Sequence, residues 1–339
     1  MHQIKQLPED FVVNEISSIN TQDNGQYSYY ILKKISYSTV DALETLSEKL
    51  NIPLKNIGFA GNKDKNAITE QKISIFRGNK KLENINIKNM ELKYLGNGKI
   101  PISLGDLEGN EFTITVRNLD NEEIKKIKQL QNKKIDIPNL FGPQRFSKNN
   151  HLVGKAIIKR DFKKAVELML ENDGYEENKI RIFLKENSNN YIGALRIIPL
   201  KTRKLLVHAY QSHLFNETIN NYLKIEKNNQ ENIKIPLIGF NFELETIKNK
   251  SLKDIIKKIL SQENINSRDF IINQIPELTS EGGSRDLFFE LKNLEILNIE
   301  DDDLNEGKKK IKIRFTLPKS CYATTLLGFI FSRTDDPDD

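Results

Sequence analysis

A change of texture along the chain constrains its fold more than any other feature. The first third reads as short strands with one helix, the middle as helices, and the end returns to strand. Alternating apolar and polar residues in "FVVNEI" from Phe11, "YSYYILKK" from Tyr27 and "FTITV" from Phe112 carry the period of two expected of half-buried strands. Ser38 or Thr39 is placed to cap a helix from about Val40 to Leu50, and a lysine-rich helix is expected from Glu122 to about Gln131. After Asn150 the spacing turns helical. Asp161 can cap "FKKAVELML", and an amphipathic stretch from about Thr202 to Leu223 puts Leu206, Ala209, Tyr210, Leu214 and Phe215 toward a core. "KIRFTLP" from Lys312 is a strand again, Ser320 is placed to cap a last apolar helix, and the closing "DDPDD" reads as a frayed tail. The pattern is α+β with a largely antiparallel sheet, and 339 residues suit two domains, the second beginning near Asn150.

Composition removes several classes. The longest apolar run, "LLGFIF" from Leu326, is far too short to span a bilayer, and no signal peptide is read at Met1. A single cysteine, Cys321, excludes an internal disulfide or a cysteine-based zinc cluster and points to a reducing, cytoplasmic setting. The four histidines, His2, His151, His208 and His213, show no metal-ligand spacing, and no glycine-rich phosphate loop is present. The net charge is only +5, but basic residues cluster at Arg77–Lys81, at Lys125–Lys134 and at Lys308–Arg314, the last against acidic Asp301–Asp303. Such clusters suit a polyanion, or are simply solvated surface.

One loop stands apart. In "GFAGNKDKNAITEQ", residues 58–71, an apolar entry and an alternating exit place Asp64 between Lys63 and Lys65 on a connection between two strands. Taken alone, Asp64 could be a turn aspartate bonded to its own backbone, or a reactive carboxylate kept ionised by the cations beside it.

This loop and five further stretches, "PEDFVVNEI", "LEGNEFTITVR", "PNLFGPQRF", "AYQSHLFN" and "FTLPKSCYAT", resemble in order the signature segments of the tRNA pseudouridine synthase D (TruD) family. The pattern Gly-x-Lys-Asp-x-x-Ala-x-Thr-x-Gln is filled by Gly61, Lys63, Asp64, Ala67, Thr69 and Gln71, and the resemblance spans Lys5 to about Leu327. It implies an α+β pseudouridine-synthase core with a largely antiparallel mixed sheet, residues 1–154 and 291–339, and an α+β insertion domain, residues 155–290, facing it across an RNA-binding cleft. The activity implied is isomerisation of uridine to pseudouridine in tRNA, at uridine 13, by a monomer that needs no cofactor, metal or membrane.

Residue by residue, the resemblance gives Asp64 the catalytic carboxylate and Lys5 the basic residue that approaches it. Phe141, in Asn139-Leu140-Phe141-Gly142-Pro143-Gln144-Arg145-Phe146, would stack on the extruded base; the family's usual aromatic is replaced by Leu140. Asn139 would bond the loop or the base edge, Arg145 a phosphate or a carboxylate, and Lys63 the substrate if it is the lysine that faces the site. "AYQSHLFN" reads as framework. Two rival readings are a non-catalytic RNA-binding protein using the same cleft and a metal-dependent hydrolase or phosphotransferase built on Asp64.

Overall fold

The structure, a computed structural model, describes residues 2–22, 24–131, 133–226 and 231–331; the closing "DDPDD" lies outside the described residues. In chain order the elements are β1 (Phe11–Ile16), β2 (Tyr27–Ile35), α1 (Thr39–Leu50), β3 (Ile57–Phe59), β4 (Ile68–Phe76), β5 (Met90–Gly98), β6 (Gly109–Leu119), α2 (Asn121–Leu130) and β7 (Ile135–Pro138). Helices α3 (Asn150–Ile158), α4 (Phe162–Leu170), α5 (Tyr175–Glu186), α6 (Tyr191–Arg196) and α7 (Leu200–Ile225) follow. Then come β8 (Lys234–Leu237), α8 (Lys250–Glu263), β9 (Gly283–Asp286), β10 (Phe288–Asp301), β11 (Lys309–Pro318) and α9 (Ala323–Phe331).

The caps follow the sequence in most places. The Asp41 amide donates to Ser38 Oγ at the start of α1, Asp120 and Glu123 form a reciprocal capping box on α2, and the Lys164 amide donates to Asp161 on α4. Helix α9 follows the last strand. It spans Ala323–Phe331, and the amides of Thr325 and Leu326 both donate to the Tyr322 carbonyl.

The chain divides into two compact units: Met1–Ile137 with Glu290–Asp339, and Pro138–Phe289. Residues 138–154, expected from sequence to lie in the catalytic domain, thus belong to the second unit. Within that unit α3 packs on α7, where a Cβ at Gly154 would lie 2.1 Å from the Leu206 carbonyl oxygen, so only glycine permits the approach.

In the first unit one sheet runs in the order β5-β2-β4-β1-β6-β11-β10-β7, with β3 added alongside β4. The β1–β4 pair is parallel, while β2–β4, β2–β5, β3–β4, β1–β6, β6–β11 and β10–β11 are antiparallel. The sheet is therefore mixed and largely antiparallel. Ala42, Leu43 and Leu46 of α1 pack on Tyr30, Leu32, Ile73, Ile75 and Leu92 of the strands, each such apolar chain contributing about 1.5–3 kcal/mol when fully buried.

The parallel pair gathers three segments at one place. With Val12 opposite Ile68, the segments that enter β1 and β4 lie at the same end of the sheet; β2 runs against β4, with Lys34 opposite Thr69, so its last residues arrive there too.

The second unit is helical with a two-stranded antiparallel sheet, β8 on β9. Leu206, Ala209, Tyr210, Leu214 and Phe215 of α7 are all buried, as their spacing predicts. Tyr210 donates to Glu263 at 2.7 Å, and Lys155 pairs with the same carboxylate at 2.8 Å. Burial and that acceptor push the Tyr210 phenol far above its ordinary range.

Candidate active site

The loop between β3 and β4 is held from several sides. At its entry a Cβ on Gly58 would lie 2.3 Å from the Ile102 carbonyl oxygen, so glycine is required there; Gly61 meets nothing closer than 3.6 Å and is not required by space. Thr39, the first residue of α1, accepts from the Lys63 amide at 2.8 Å and donates to Gln71 Oε1 at 2.9 Å, while Gln71 Nε2 donates to the Gly61 carbonyl. The Lys-Asp-Lys order then acquires a meaning. Lys63 turns inward and its ammonium meets Glu15 of β1 at 2.7 Å; Lys65 turns outward, 3.6 Å from Asp41; Asp64, between them, presents its carboxylate to Lys5.

Lys5 Nζ donates to Asp64 Oδ2 at 2.7 Å and lies 4.0 Å from the centroid of the Phe11 ring. The side chains are 14% and 38% exposed respectively, so the carboxylate is paired yet open to an incoming group. The backbone at Lys5 has φ 60°, a left-handed conformation that costs a side-chain-bearing residue about 1–3 kcal/mol and persists only where its surroundings impose it. Those surroundings are visible. Gln3 exchanges two backbone hydrogen bonds with Arg117, at 2.9 and 2.8 Å, and the Leu7 amide donates to Asp10, which accepts from Arg117 Nε. The segment carrying Lys5 is thereby tethered on both sides to one arginine.

Arg117 Nη1 also donates to Asp302 at 2.9 Å and to Asp303 at 2.8 Å, linking strand β6 to the β10–β11 connection. Its hydrogen bonds, that with Asp10 foremost, hold the guanidinium above its ordinary range. Asp10 and Arg117 lie in stretches singled out by sequence, but no role was assigned to them. Their only sequence signal is a charged residue within an otherwise strand-like run.

Lys34 carries no motif and is not among the sequence candidates. It is 0% exposed, and its ammonium donates to the backbone carbonyls of Tyr37 at 2.5 Å and of Asp64 at 3.1 Å. Burial pulls it down from 10.5 to about 8; the charge of Asp64 opposes that pull, Lys63 adds to it and Asp41 opposes it. Its signal was the alternation Tyr30, Leu32, Lys34 on the inward face of β2.

The remaining sequence candidates lie in the second unit. Asn139 is buried; its amide donates to the Leu287 carbonyl, its Nδ2 to the Asp286 carbonyl, and its Oδ1 accepts from Arg285 at 2.6 Å. Phe141 is 9% exposed, packed edge-on against Phe215 with the Arg285 guanidinium 4.0 Å from its centroid. Its backbone is bracketed by Asn216 of α7, which accepts from its amide and donates to its carbonyl. Arg145 Nε donates to Ser212 Oγ of the same helix at 3.2 Å. "AYQSHLFN" therefore holds the 139–146 segment in place, as a framework stretch should. Burial, then the charges of Arg145 and Lys204, pull His208 below the ordinary histidine range.

Two placements bear on the sequence expectations. Lys63, expected as a substrate contact, has its ammonium buried on Glu15. In the basic cluster at Lys308–Arg314, Lys309 pairs with Asp301, Lys310 with Glu300 and Asp303, and Arg314 with Glu295. Among the described residues no group of three or more His, Cys, Asp or Glu is placed to hold a metal ion, and no helix is long and apolar enough to cross a membrane.

Comparison with known proteins gives one answer throughout. The family model described as tRNA pseudouridine synthase D (TruD) matches residues 2–183, 175–234 and 221–328. A probable tRNA pseudouridine synthase D of Methanosarcina acetivorans is 31% identical, the match covering 96% of this chain and 91% of that protein. The tRNA pseudouridine synthase D of Aquifex aeolicus is 28% identical, with 97% of each chain covered. The crystal structure of a putative tRNA pseudouridine synthase D from Methanosarcina mazei superposes with a TM-score of 0.73 at 30% identity, over 96% of this chain and 92% of that one. With the family model matched along nearly its whole length, the chain belongs to the tRNA pseudouridine synthase D (TruD) family.

Proposed function

We propose that this protein isomerises uridine to pseudouridine in tRNA, at uridine 13, acting as a monomer in the cytoplasm with Asp64 as the reacting carboxylate. The observation that carries the reading is the half-open Asp64 carboxylate, on a loop clamped from several elements and paired at 2.7 Å with a lysine held in a left-handed conformation.

The reaction breaks the bond between ribose C1′ and N1, turns the base, and joins C1′ to C5; C5 gives up a proton and N1 gains one, so no electrons are exchanged with a cofactor. Asp64 enters either by adding to C1′ or by removing the 2′ proton, and both routes use the ionised carboxylate. Lys5 holds that carboxylate in orientation through their ion pair. Phe141 offers its ring to the extruded base, Asn139 orders the adjoining backbone, and Arg145 meets a phosphate; Lys63 holds the loop from within.

The test is pseudouridine formation in a tRNA transcript with wild type and Asp64→Asn. Wild type is expected to convert uridine 13, and the variant to keep tRNA affinity while losing at least about a thousandfold in single-turnover rate, the loss expected of a group needed in the transition state. Conversion by the variant within tenfold of wild type removes Asp64 from the chemistry. Tight tRNA binding without conversion by either protein favours a non-catalytic RNA-binding role.

A further inference from the structure

Strand β2 buries Tyr30, Leu32 and Lys34 at alternate positions, each 0% exposed, so a lysine stands where the pattern calls for an apolar chain. Burying an ammonium is costly, and stable folds usually repay the cost with a carboxylate. Lys34 makes no ion pair with a described residue; its partners are two backbone carbonyls, those of Tyr37 and of Asp64 itself. Across 30 residues of sequence the only uncompensated buried cation of β2 is thus aimed at the main chain of the carboxylate proposed to react. A hydrophobic residue would fill the space at lower cost, but it could not grip that carbonyl.

We propose that Lys34 is a positioning residue: its ammonium fixes the backbone at Asp64 and, together with Lys5, supplies the positive field that keeps the carboxylate ready. The proposal rests on the reading of Asp64 given above. The charges that face Lys34 are Asp64 and Lys63 of the loop and Asp41 of α1. Because the Lys34 ammonium titrates near 8 in the fold and 10.5 is its ordinary value, turnover should fall as pH rises through about 8. Stability should move the other way. Between those two values the unfolded chain binds more protons at this site than the folded one, so the contribution of Lys34 to stability grows as pH rises from about 8 to 10.5.

The experiment compares purified wild type and Lys34→Met from about pH 6.5 to about pH 10, reading single-turnover pseudouridine formation, tRNA affinity and thermal unfolding, with the 13C shift of the labelled Asp64 carbonyl followed by NMR. Lys34→Met is expected to be about ten- to a hundredfold slower at neutral pH, as for loss of a charged hydrogen bond, with affinity within about twofold. It should lack the alkaline fall in rate, and the Asp64 carbonyl shift should titrate near 8 in wild type only. A folded Lys34→Met with wild-type rate and the same alkaline fall overturns the proposal, as does an Asp64 carbonyl that does not respond to pH. Should wild type form no pseudouridine, the function fails, and the carbonyl titration alone then decides for or against the contact.

Discussion

The inner and outer sides of the Asp64 loop carry ion pairs of the same length and different character. Lys63 meets Glu15 and Lys5 meets Asp64, both at 2.7 Å, but the side chains of the first pair are 5% and 1% exposed and those of the second 14% and 38%. Distance therefore says little about role. In the enclosed pair neither charge can be hydrated if its partner leaves, whereas in the open pair water can replace the lysine. The inner pair fixes where the loop runs; the outer pair fixes what the loop presents.

The largest effect expected from this contrast is on the inner side. Lys63→Met should cost about 3–5 kcal/mol of unfolding free energy, since it strands the Glu15 carboxylate in the interior. Pairing it with Glu15→Leu should recover much of that loss in chemical denaturation, because the buried charge goes as well. A single variant that unfolds within about 1 kcal/mol of wild type would make the two sides alike.

Phe141 extends the contrast to the second unit, where packing and substrate contact are assigned to one ring. Phe141→Ala should lose about 3–5 kcal/mol through the cavity left against Phe215 and Arg285. If the ring also stacks on a base, the rate per folded molecule should fall about tenfold beyond that, while Phe141→Tyr loses little. Activity that only tracks the folded fraction would leave the ring to packing.

Lys5→Met is expected to do the reverse of Lys63→Met. Stability should change by less than about 1 kcal/mol, as for a pair open to water, while the single-turnover rate drops about tenfold. An unchanged rate at saturating tRNA would show that the strained backbone at Lys5 serves the fold alone.

What the sequence showed, and what it hid, depends on the reach of the interactions. The strands of alternating residues and the helix caps at Ser38 and Asp161 were legible because they are set within a few residues. The Asp64 loop was legible because its motif is contiguous. Arg117 is linked to Asp10 and Asp302 across 107 and 185 residues, and Lys34 reaches the Asp64 carbonyl only because β2 and β4 end and begin at the same edge. Such partners depend on strand order and register, which no local pattern encodes. Lys63 and Lys65 flank Asp64 and diverge on this loop; which of them turns inward depends on where Glu15 lies in β1.

The smallest expected effect concerns the two basic clusters, which look alike in sequence and differ in the fold. On β11, Lys309 and Lys310 stand opposite Asp301 and Glu300 in the β10 ladder, so their charge is already matched. On α2, Lys125, Lys126 and Lys128 lie around a helix that buries only Ile124 and Ile127, and they make no ion pair with a described residue. A cation that binds phosphate displaces a counterion, so removing one such cation should flatten the slope of log affinity against log salt by slightly under one unit. Replacing Lys309 and Lys310 by Gln should leave affinity and slope close to wild type, because an RNA approaching β11 also meets the acids of β10. Replacing Lys125, Lys126 and Lys128 should weaken tRNA binding and flatten the slope in proportion to the number of phosphates they neutralise. If the β11 variant flattens the slope and the α2 variant does not, the acids of β10 give up their partners to the RNA, and β11 is part of the binding face after all.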